Sequence, residues 1–240
     1  MTEGFQERFS RTALLLGEAA WTALTRKNVL VVGLGGVGGH AAEEIARCGV
    51  GRMTLADGDT VDVSNCNRQI IATTRTVGQM KASLLASRCR EINPDGTFLA
   101  AEKFLRTADD IAALLDGGFD FVVDAIDDVP VKTELLRQLV ARRIPHISAM
   151  GAGGKLDPAL VRRADIAKTS GCPLARVMRS RLRALGITRG VRVVFSPETP
   201  RRAFTGRNIG SISYLPAVFG GFCAAEAIEV LCGFSENSAR

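Results

Sequence analysis

Apolar residues fall along this chain in two alternating patterns, short unbroken runs and longer stretches with helical spacing. Val29-Leu30-Val31-Val32 is aliphatic throughout, as a strand buried on both faces must be. Further runs at 52–56, 97–101, 119–123 and 144–149 predict strands of the same kind. Between them, helical spacing covers 38–48, 77–91, 108–115 and 129–142, with Gly49 stopping the first and Asn93-Pro94 the second. Strand–helix alternation of this kind predicts an α/β fold with a doubly wound, mainly parallel sheet. Ahead of it, residues 12–26 read as one helix, with Leu15, Leu16, Ala19, Ala20, Ala23 and Leu24 striped around Trp21. Arg8-Phe9-Ser10-Arg11 precedes that helix as an arm free to reach elsewhere.

Beyond residue 150 the alternation breaks down. A strand is expected at 161–163 and a helix at 174–185, with Leu174, Val177, Met178, Leu182 and Leu185 inward and Arg176, Arg179 and Arg183 outward. A strand at 191–196, a basic loop at 197–208 and a last helix at 213–232 complete the chain. The division expected is an N-terminal arm and helix (1–26), a nucleotide-binding region (27–150) and a C-terminal basic region with the final helix (151–240). The last is read as continuous with the rest. No internal repeat or low-complexity tract is present.

The turn after the first strand, Gly33-Leu34-Gly35-Gly36-Val37-Gly38, has Rossmann-like spacing. Gly33 suits the tight turn, Gly35 a close approach of phosphate, and Gly38 the packing of helix on strand. The helix that follows offers unpaired N–H groups to an anion. Asp57, at the end of the next strand, stands where an acid holds ribose hydroxyls. The loop after it contains Asp59, Asn65, Asn67, Arg68 and Gln69, too many specific polar side chains for a simple connector. Lys81 lies near the start of a helix, where a cation opposes the dipole. A nearby anionic ligand would account for it, and so would solvent exposure.

The acids Asp124, Asp127 and Asp128 follow the strand at 119–123, on the ligand-binding edge of such a sheet. Three carboxylates there would repel a phosphate unless a divalent cation intervened. Mg²⁺ takes one or two carboxylates plus phosphate oxygens, so the pattern suits metal–ATP better than hydride transfer. The alternative is that these acids are turn and cap residues of the helix at 129–142.

Composition narrows the setting. With 46% hydrophobic and 23% charged residues, the chain reads as a globular protein expected in the cytoplasm, and its start has no secretion-signal pattern. The uncharged run at 209–225 is interrupted by Pro216, Gly220 and Gly221, so it reads as a buried helix rather than a membrane-contacting one. Six cysteines without a Cys-x-x-Cys pair, and only two histidines, argue against zinc. The net charge of +6 is concentrated: residues 162–207 hold twelve Arg or Lys against Asp165 and Glu198. Such a block is either a solvated face or a surface for a polyanion.

The motifs Gly33 to Gly38, Asp57-Gly58-Asp59, Asn65-Cys66-Asn67-Arg68-Gln69, Val77-Gly78-Gln79-Met80-Lys81-Ala82 and Asp124-Ala125-Ile126-Asp127 together resemble the ubiquitin-activating-type adenylating superfamily. The later segments Gly151 to Pro158, Ile166-Ala167-Lys168-Thr169, Pro173-Leu174-Ala175 and Val194-Phe195-Ser196 resemble its tRNA threonylcarbamoyladenosine dehydratase branch, as do Arg8 to Thr12 and Gly210-Ser211. The resemblance implies that the C-terminal extension completes a ubiquitin-activating-enzyme-type fold. It assigns Gly33, Gly35, Gly36 and Gly38 to the phosphate loop, Asp57 to the ribose, and Asn65, Arg68 and Lys81 to the triphosphate. Asp127 becomes the Mg²⁺ ligand. Arg11 matches an arginine that enters the partner subunit's ATP site, which implies a homodimer. Asp128 replaces a small polar residue, and its role is open.

The implied reaction is ATP-dependent adenylation of the threonylcarbamoyl carboxylate on a tRNA adenosine next to the anticodon, by a ligase-type enzyme. Cyclising dehydration follows, with release of AMP and pyrophosphate. Because the ring closes intramolecularly, no enzyme cysteine is required. Cys172, ahead of Pro173, is the loop candidate for a reactive thiol, with no base or helix dipole evident beside it. A sulfur-transfer protein is admitted as a further partner. Three other readings compete. An adenylyltransferase for the C-terminus of a small sulfur-carrier protein lacks its cysteine pairs here. A nicotinamide-dependent oxidoreductase leaves Arg68, Lys81 and Asp127 unused. A nucleotide-gated scaffold does not need so complete a site.

Overall fold

In the computed structural model, which describes residues 3–201, 204–205 and 208–234, strand and helix alternate through the first two-thirds of the chain. Strands β1 (Asn28–Val32), β2 (Arg52–Ala56), β3 (Thr97–Ala101), β4 (Phe121–Asp124) and β5 (His146–Ala149) are joined by helices α4 (Gly36–Arg47), α5 (Lys81–Ile92), α6 (Ala108–Leu115) and α7 (Val129–Arg142). Three short helices precede them: α1 (Glu3–Arg8), α2 (Ser10–Leu16) and α3 (Glu18–Leu24). After β5 come β6 (Arg162–Asp165), α8 (Pro173–Ala184), β7 (Arg192–Phe195), the ribbon β8 (Phe204–Thr205) and β9 (Asn208–Ile209), and α9 (Tyr214–Leu231).

The main sheet runs β3-β2-β1-β4-β5-β7-β6, parallel except for β6, which pairs antiparallel to β7. Chain order reverses between β1 and β4, the switch point outside which ligands of such sheets sit. Alternate strand residues face two cores. Val29 and Val31 join the layer of α4, α5 and α9, and Leu30 and Val32 that of α6, α7 and α8. By length and mean hydropathy (1.4), α9 could cross a membrane, but half of it is buried. Leu215, Phe219, Cys223 and Ala227 lie within the core shared with α4. Arg163 on β6 and Arg192 on β7 bond Glu226 of α9, and Arg163 also bonds Glu229.

Several expectations are corrected. The single helix at 12–26 is two, because Gly17 takes φ +82° and turns the chain between α2 and α3. Leu15 of the expected stripe is exposed, and so are Ala19 and Ala23. The arm before it is anchored, since Phe9 is buried against Trp21 with ring centroids 6.3 Å apart. The helix expected from residue 77 starts at Lys81: Gly78 takes φ +85°, and Met80 bridges to Thr60. Two inward assignments on α8 fail, because Val177 and Leu185 are exposed and Ala175 fills the core instead. The elements expected at 52–56, 97–101, 108–115 and 129–142 stand at those bounds, and the remaining boundaries differ by at most two residues, as helix and strand ends commonly do.

Candidate active site

One cavity of about 1020 Å³ opens at the C-terminal ends of β1, β2, β4 and β5. The glycine turn forms its floor. Gly33 takes φ +83°, and a Cβ there would stand 2.7 Å from the Ala125 carbonyl oxygen. A Cβ at Gly38 would meet the Gly33 carbonyl oxygen at 1.8 Å, so the first turn of α4 packs on the loop only because both positions lack side chains. At Gly35 an added Cβ meets only Gln69 Nε2 at 3.8 Å, which leaves room for a ligand above the backbone. No side chain caps this end of α4. Its first N–H groups, the positive end of the helix dipole, therefore border the cavity.

Asp57 braces this turn. Its Oδ2 accepts from the Leu34 N–H at 2.7 Å and its Oδ1 from the Asp59 N–H at 2.8 Å. The loop that follows is organised by Asp62, whose carboxylate accepts from the Ser64 N–H while Asn65 Oδ1 accepts from the Asp62 N–H. That reciprocal cap buries Asn65 and directs Arg68 and Gln69 to the cavity wall. Arg68 Nη1 donates to the Ser64 carbonyl and to Asn67 Oδ1, both at under 3 Å. Gln69 Oε1 is buried without a hydrogen-bond partner among the described residues and belongs to a cavity-lining residue, an acceptor suited to a ligand donor.

Lys81 is 6% exposed, which removes solvent exposure as the reason for a lysine at this helix start. Its Nζ donates to Asp59 Oδ2 at 3.0 Å. Of the expected site residues, Gly33, Gly35, Gly36, Asp57, Asp59, Asn65, Arg68, Gln69, Lys81 and Asp127 all line the one cavity. Gly38 lies beneath the turn. Asn67 stands at the rim, where its Nδ2 donates to the Ser211 carbonyl. Arg11 is not among the lining residues; it is exposed on α2.

The three acids after β4 have three different roles. Asp124 is fully buried and paired with Lys132 at 2.9 Å. Asp128 is the N-cap of α7, accepting from the Val131 N–H at 2.9 Å, which answers what this residue does here. Asp127 alone is an exposed carboxylate on the cavity wall without a hydrogen bond or ion pair among the described residues. One hard oxygen ligand facing a phosphate-binding turn fits the donor set of Mg²⁺, which completes its shell from phosphates and water.

Sequence reasoning did not single out Lys132, Phe104, Arg106 or Lys155. Lys132 was findable, since it interrupts an apolar face with Leu135, Leu136 and Leu139 at helical spacing. Phe104 and Arg106 form the cavity wall beyond β3, with the guanidinium 5.3 Å from the ring centroid. Lys155 is buried below the loop after β5, donating to the carbonyls of Gly151 and Ser196. Burial pushes its ammonium below the ordinary lysine range, while the nearby Cys172 and Glu198 oppose that shift. Cys172 is the N-cap residue of α8, so the thiol has both a helix N-terminus and a cation beside it, contrary to expectation.

The basic block divides as well. Arg163, Arg192 and Arg179 are held by internal hydrogen bonds, Arg179 by the Thr169 carbonyl and hydroxyl. Lys168, Arg176, Arg181, Arg183, Arg189 and Arg201 are exposed. Arg202 and Arg207, with part of the 197–208 loop, lie outside the described residues.

The model of the ThiF family matches residues 9–240. The tRNA threonylcarbamoyladenosine dehydratase of Bacillus subtilis is 44% identical over 193 residues, covering 80% of this chain and 76% of that one. The crystal structure of Escherichia coli tRNA N6-threonylcarbamoyladenosine dehydratase, TcdA, in complex with AMP superposes with a TM-score of 0.92 at 36% identity, covering 98% of both chains. The same enzyme in complex with ATP gives 0.91 at 35% identity, covering 99% of both.

Proposed function

The chain belongs to the ThiF family, and on that premise we propose that it is an ATP-dependent enzyme that adenylates the threonylcarbamoyl carboxylate on tRNA and dehydrates it to a ring. The observation that supports this most is the convergence of the glycine turn, Arg68, Lys81 and Asp127 on one cavity. A carboxylate oxygen attacks the α-phosphorus of ATP, and the bond to the pyrophosphate oxygen breaks. The carbamoyl nitrogen of the same group then attacks the activated carbonyl, loses its proton and expels AMP. The nucleoside loses one water overall.

The residues bind, orient and neutralise. The N-terminus of α4 receives phosphate oxygens above Gly35, and Asp57 faces the ribose. Lys81 and Arg68 now bond Asp59 and Asn67, and a triphosphate offers each a stronger acceptor. Asp127 would hold Mg²⁺, which when bound neutralises charge on the phosphate oxygens. Positioning and charge neutralisation of this kind are the main source of rate in phosphoryl-group chemistry. Arg11, outside its own chain's cavity, completes the site of a second copy in a homodimer. The exposed arginines of α8 meet the tRNA backbone. The enzyme works in the cytoplasm, and a sulfur-transfer protein is an additional candidate partner.

The test is which substrate makes the enzyme convert ATP to AMP and pyrophosphate. Threonylcarbamoylated tRNA is expected to do so, with loss of 18 mass units, one water, from the nucleoside. Equal turnover with unmodified tRNA sinks the proposal. Adenylation of a carrier-protein C-terminus with tRNA ignored would keep the adenylating chemistry and replace the substrate.

A further inference from the structure

Beneath the loop that presents Asp127 lies an ion pair that no step above uses. Lys132 and Asp124 are both fully buried, with Nζ 2.9 Å from Oδ2. A pair of this kind is poor evidence of stability, because apolar residues of the same volume often serve as well. What apolar residues could not do is hold a backbone segment by both of its polar groups. Asp124 Oδ1 accepts from the Ile126 N–H at 3.1 Å, and Lys132 Nζ donates to the Ile126 carbonyl at 2.9 Å.

The Ile126 carbonyl and the Asp127 nitrogen belong to one planar peptide group. Fixing that carbonyl therefore fixes the direction in which the chain enters Asp127. On its other side, the Asp128 carboxylate caps α7, and its carbonyl accepts from the Lys132 N–H. Asp127 is thus the one exposed acid between two anchored residues. Ser148 Oγ donates to Asp124 Oδ2 at 2.6 Å and completes the shell of the buried carboxylate. The same segment touches the phosphate turn, since the Ala125 N–H donates to Val32 and the Ala125 carbonyl fills the space over Gly33.

We propose that Lys132 and Asp124 are positioning residues that hold the Asp127 carboxylate at the place where it receives the divalent cation. The inference rests on the reading of Asp127 as the Mg²⁺ ligand. Its test is a binding measurement on the whole protein without tRNA. Mg²⁺ is titrated against the fluorescence of a bound ribose-labelled ATP analogue, and the analogue's own affinity is measured in EDTA. Lys132→Met alone leaves a buried carboxylate without a counter-charge, so the variant of choice is Lys132→Met with Asp124→Asn. That pair keeps the acceptor for Ile126, removes the donor to its carbonyl, and turns the oxygen that accepts from Ser148 into an amide NH₂ that can donate to the Ser148 hydroxyl instead.

The Mg²⁺ concentration for half-saturation should rise about tenfold or more, as when partners of metal ligands are removed elsewhere. Nucleotide affinity in EDTA should stay within about twofold of the unmodified protein, since no phosphate-binding group has changed. Adding Asp127→Ala should then weaken Mg²⁺ no further than Asp127→Ala does alone, because both act on one ligand. Ser148→Ala, a milder change that loosens Asp124, should shift half-saturation in the same direction and decides the matter if the double variant does not fold. An unchanged Mg²⁺ response in a folded variant overturns the inference, and so do effects that multiply with Asp127→Ala. If Asp127→Ala itself leaves the Mg²⁺ response unchanged, the metal reading falls and this inference with it.

Discussion

Lys81 Nζ lies 3.0 Å from Asp59 Oδ2, a buried ammonium joined to an exposed carboxylate at the wall of the nucleotide cavity. The Lys81 N–H also donates to the Asp59 carbonyl, so the first residue of α5 is tied to the loop after β2 twice. A cation at a helix N-terminus is opposed by the dipole, and Asp59 offsets that opposition in the free protein. Bound phosphate would offset it more strongly.

Lys81→Ala and Asp127→Ala should each lower turnover by about 10²-fold or more at saturating ATP and Mg²⁺. The Asp127 side chain is exposed, and the ion pair of Lys81, which has one exposed partner, contributes at most about 1 kcal/mol to stability. Melting temperatures should therefore move little. Near-wild-type turnover in either variant would remove that residue from the mechanism.

The parts legible in the sequence are those that depend on local pattern. Val29 to Val32 and the glycine turn declare a strand, a phosphate loop and a helix within a few residues of one another. The starts of α5 and α3 are less legible, because the sequence does not give the sign of φ at a glycine: Gly78 lies beside the Thr60–Met80 bridge, and Gly17 lies between Phe9 and Trp21, which pack on each other. Within the acidic cluster the sequence does not say which acids are free for a cation, because the counter-charge of Asp124 comes from Lys132, one helix further on. A buried pair leaves no spacing rule in the sequence. Leu14 and Leu15 are similar, apolar by type yet 84% and 85% exposed, on a helix that packs through Ala13 and Leu16 instead.

Arg11 supplies a second prediction. It sits on α2, away from its own cavity, while Phe9 beside it is locked in place. If it acts across a dimer, Arg11→Ala and Lys81→Ala chains should each be impaired alone and partly active when mixed. Each such heterodimer has one composite site with both residues intact. Verified heterodimers with no recovered activity would exclude action in trans.

His146 gives a pH signature. Its Nδ1 donates to the Ile144 carbonyl at 2.8 Å, which leaves Nε2 a buried acceptor without a partner among the described residues. Burial lowers its pKa, with the Ile144 bond and Asp124 opposing. Above the unfolded value of about 6.5 both states are neutral and stability is complete. As pH falls below that value, the unfolded chain binds a proton that the folded one refuses, and stability is lost down to the folded pKa. The loss is bounded at about 1.4 kcal/mol per pH unit. The melting temperature of the natural protein should thus drop more between pH 7 and 5.5 than that of His146→Asn. Parallel pH profiles would show that His146 does not titrate differently in the two states.

The last prediction separates tRNA contact from internal support on one helix. α8 buries Ala175, Met178 and Leu182 and turns Arg176, Arg181 and Arg183 to solvent, while Arg179 is held by Thr169. Replacing the three exposed arginines by glutamine removes up to three phosphate contacts without disturbing a described hydrogen bond. The slope of log affinity for tRNA against log salt should then flatten, by up to about 3, since each contact contributes roughly one unit. ATP affinity should be unchanged, because none of the three lines the nucleotide cavity. Arg179→Gln should behave differently: it breaks the bond to the Thr169 carbonyl, so melting temperature falls while the salt slope changes little. If the triple variant binds tRNA with the original slope, the basic face of α8 is only a solvated surface. If Arg179→Gln flattens the slope as the others do, the division between contact and support on this helix is wrong.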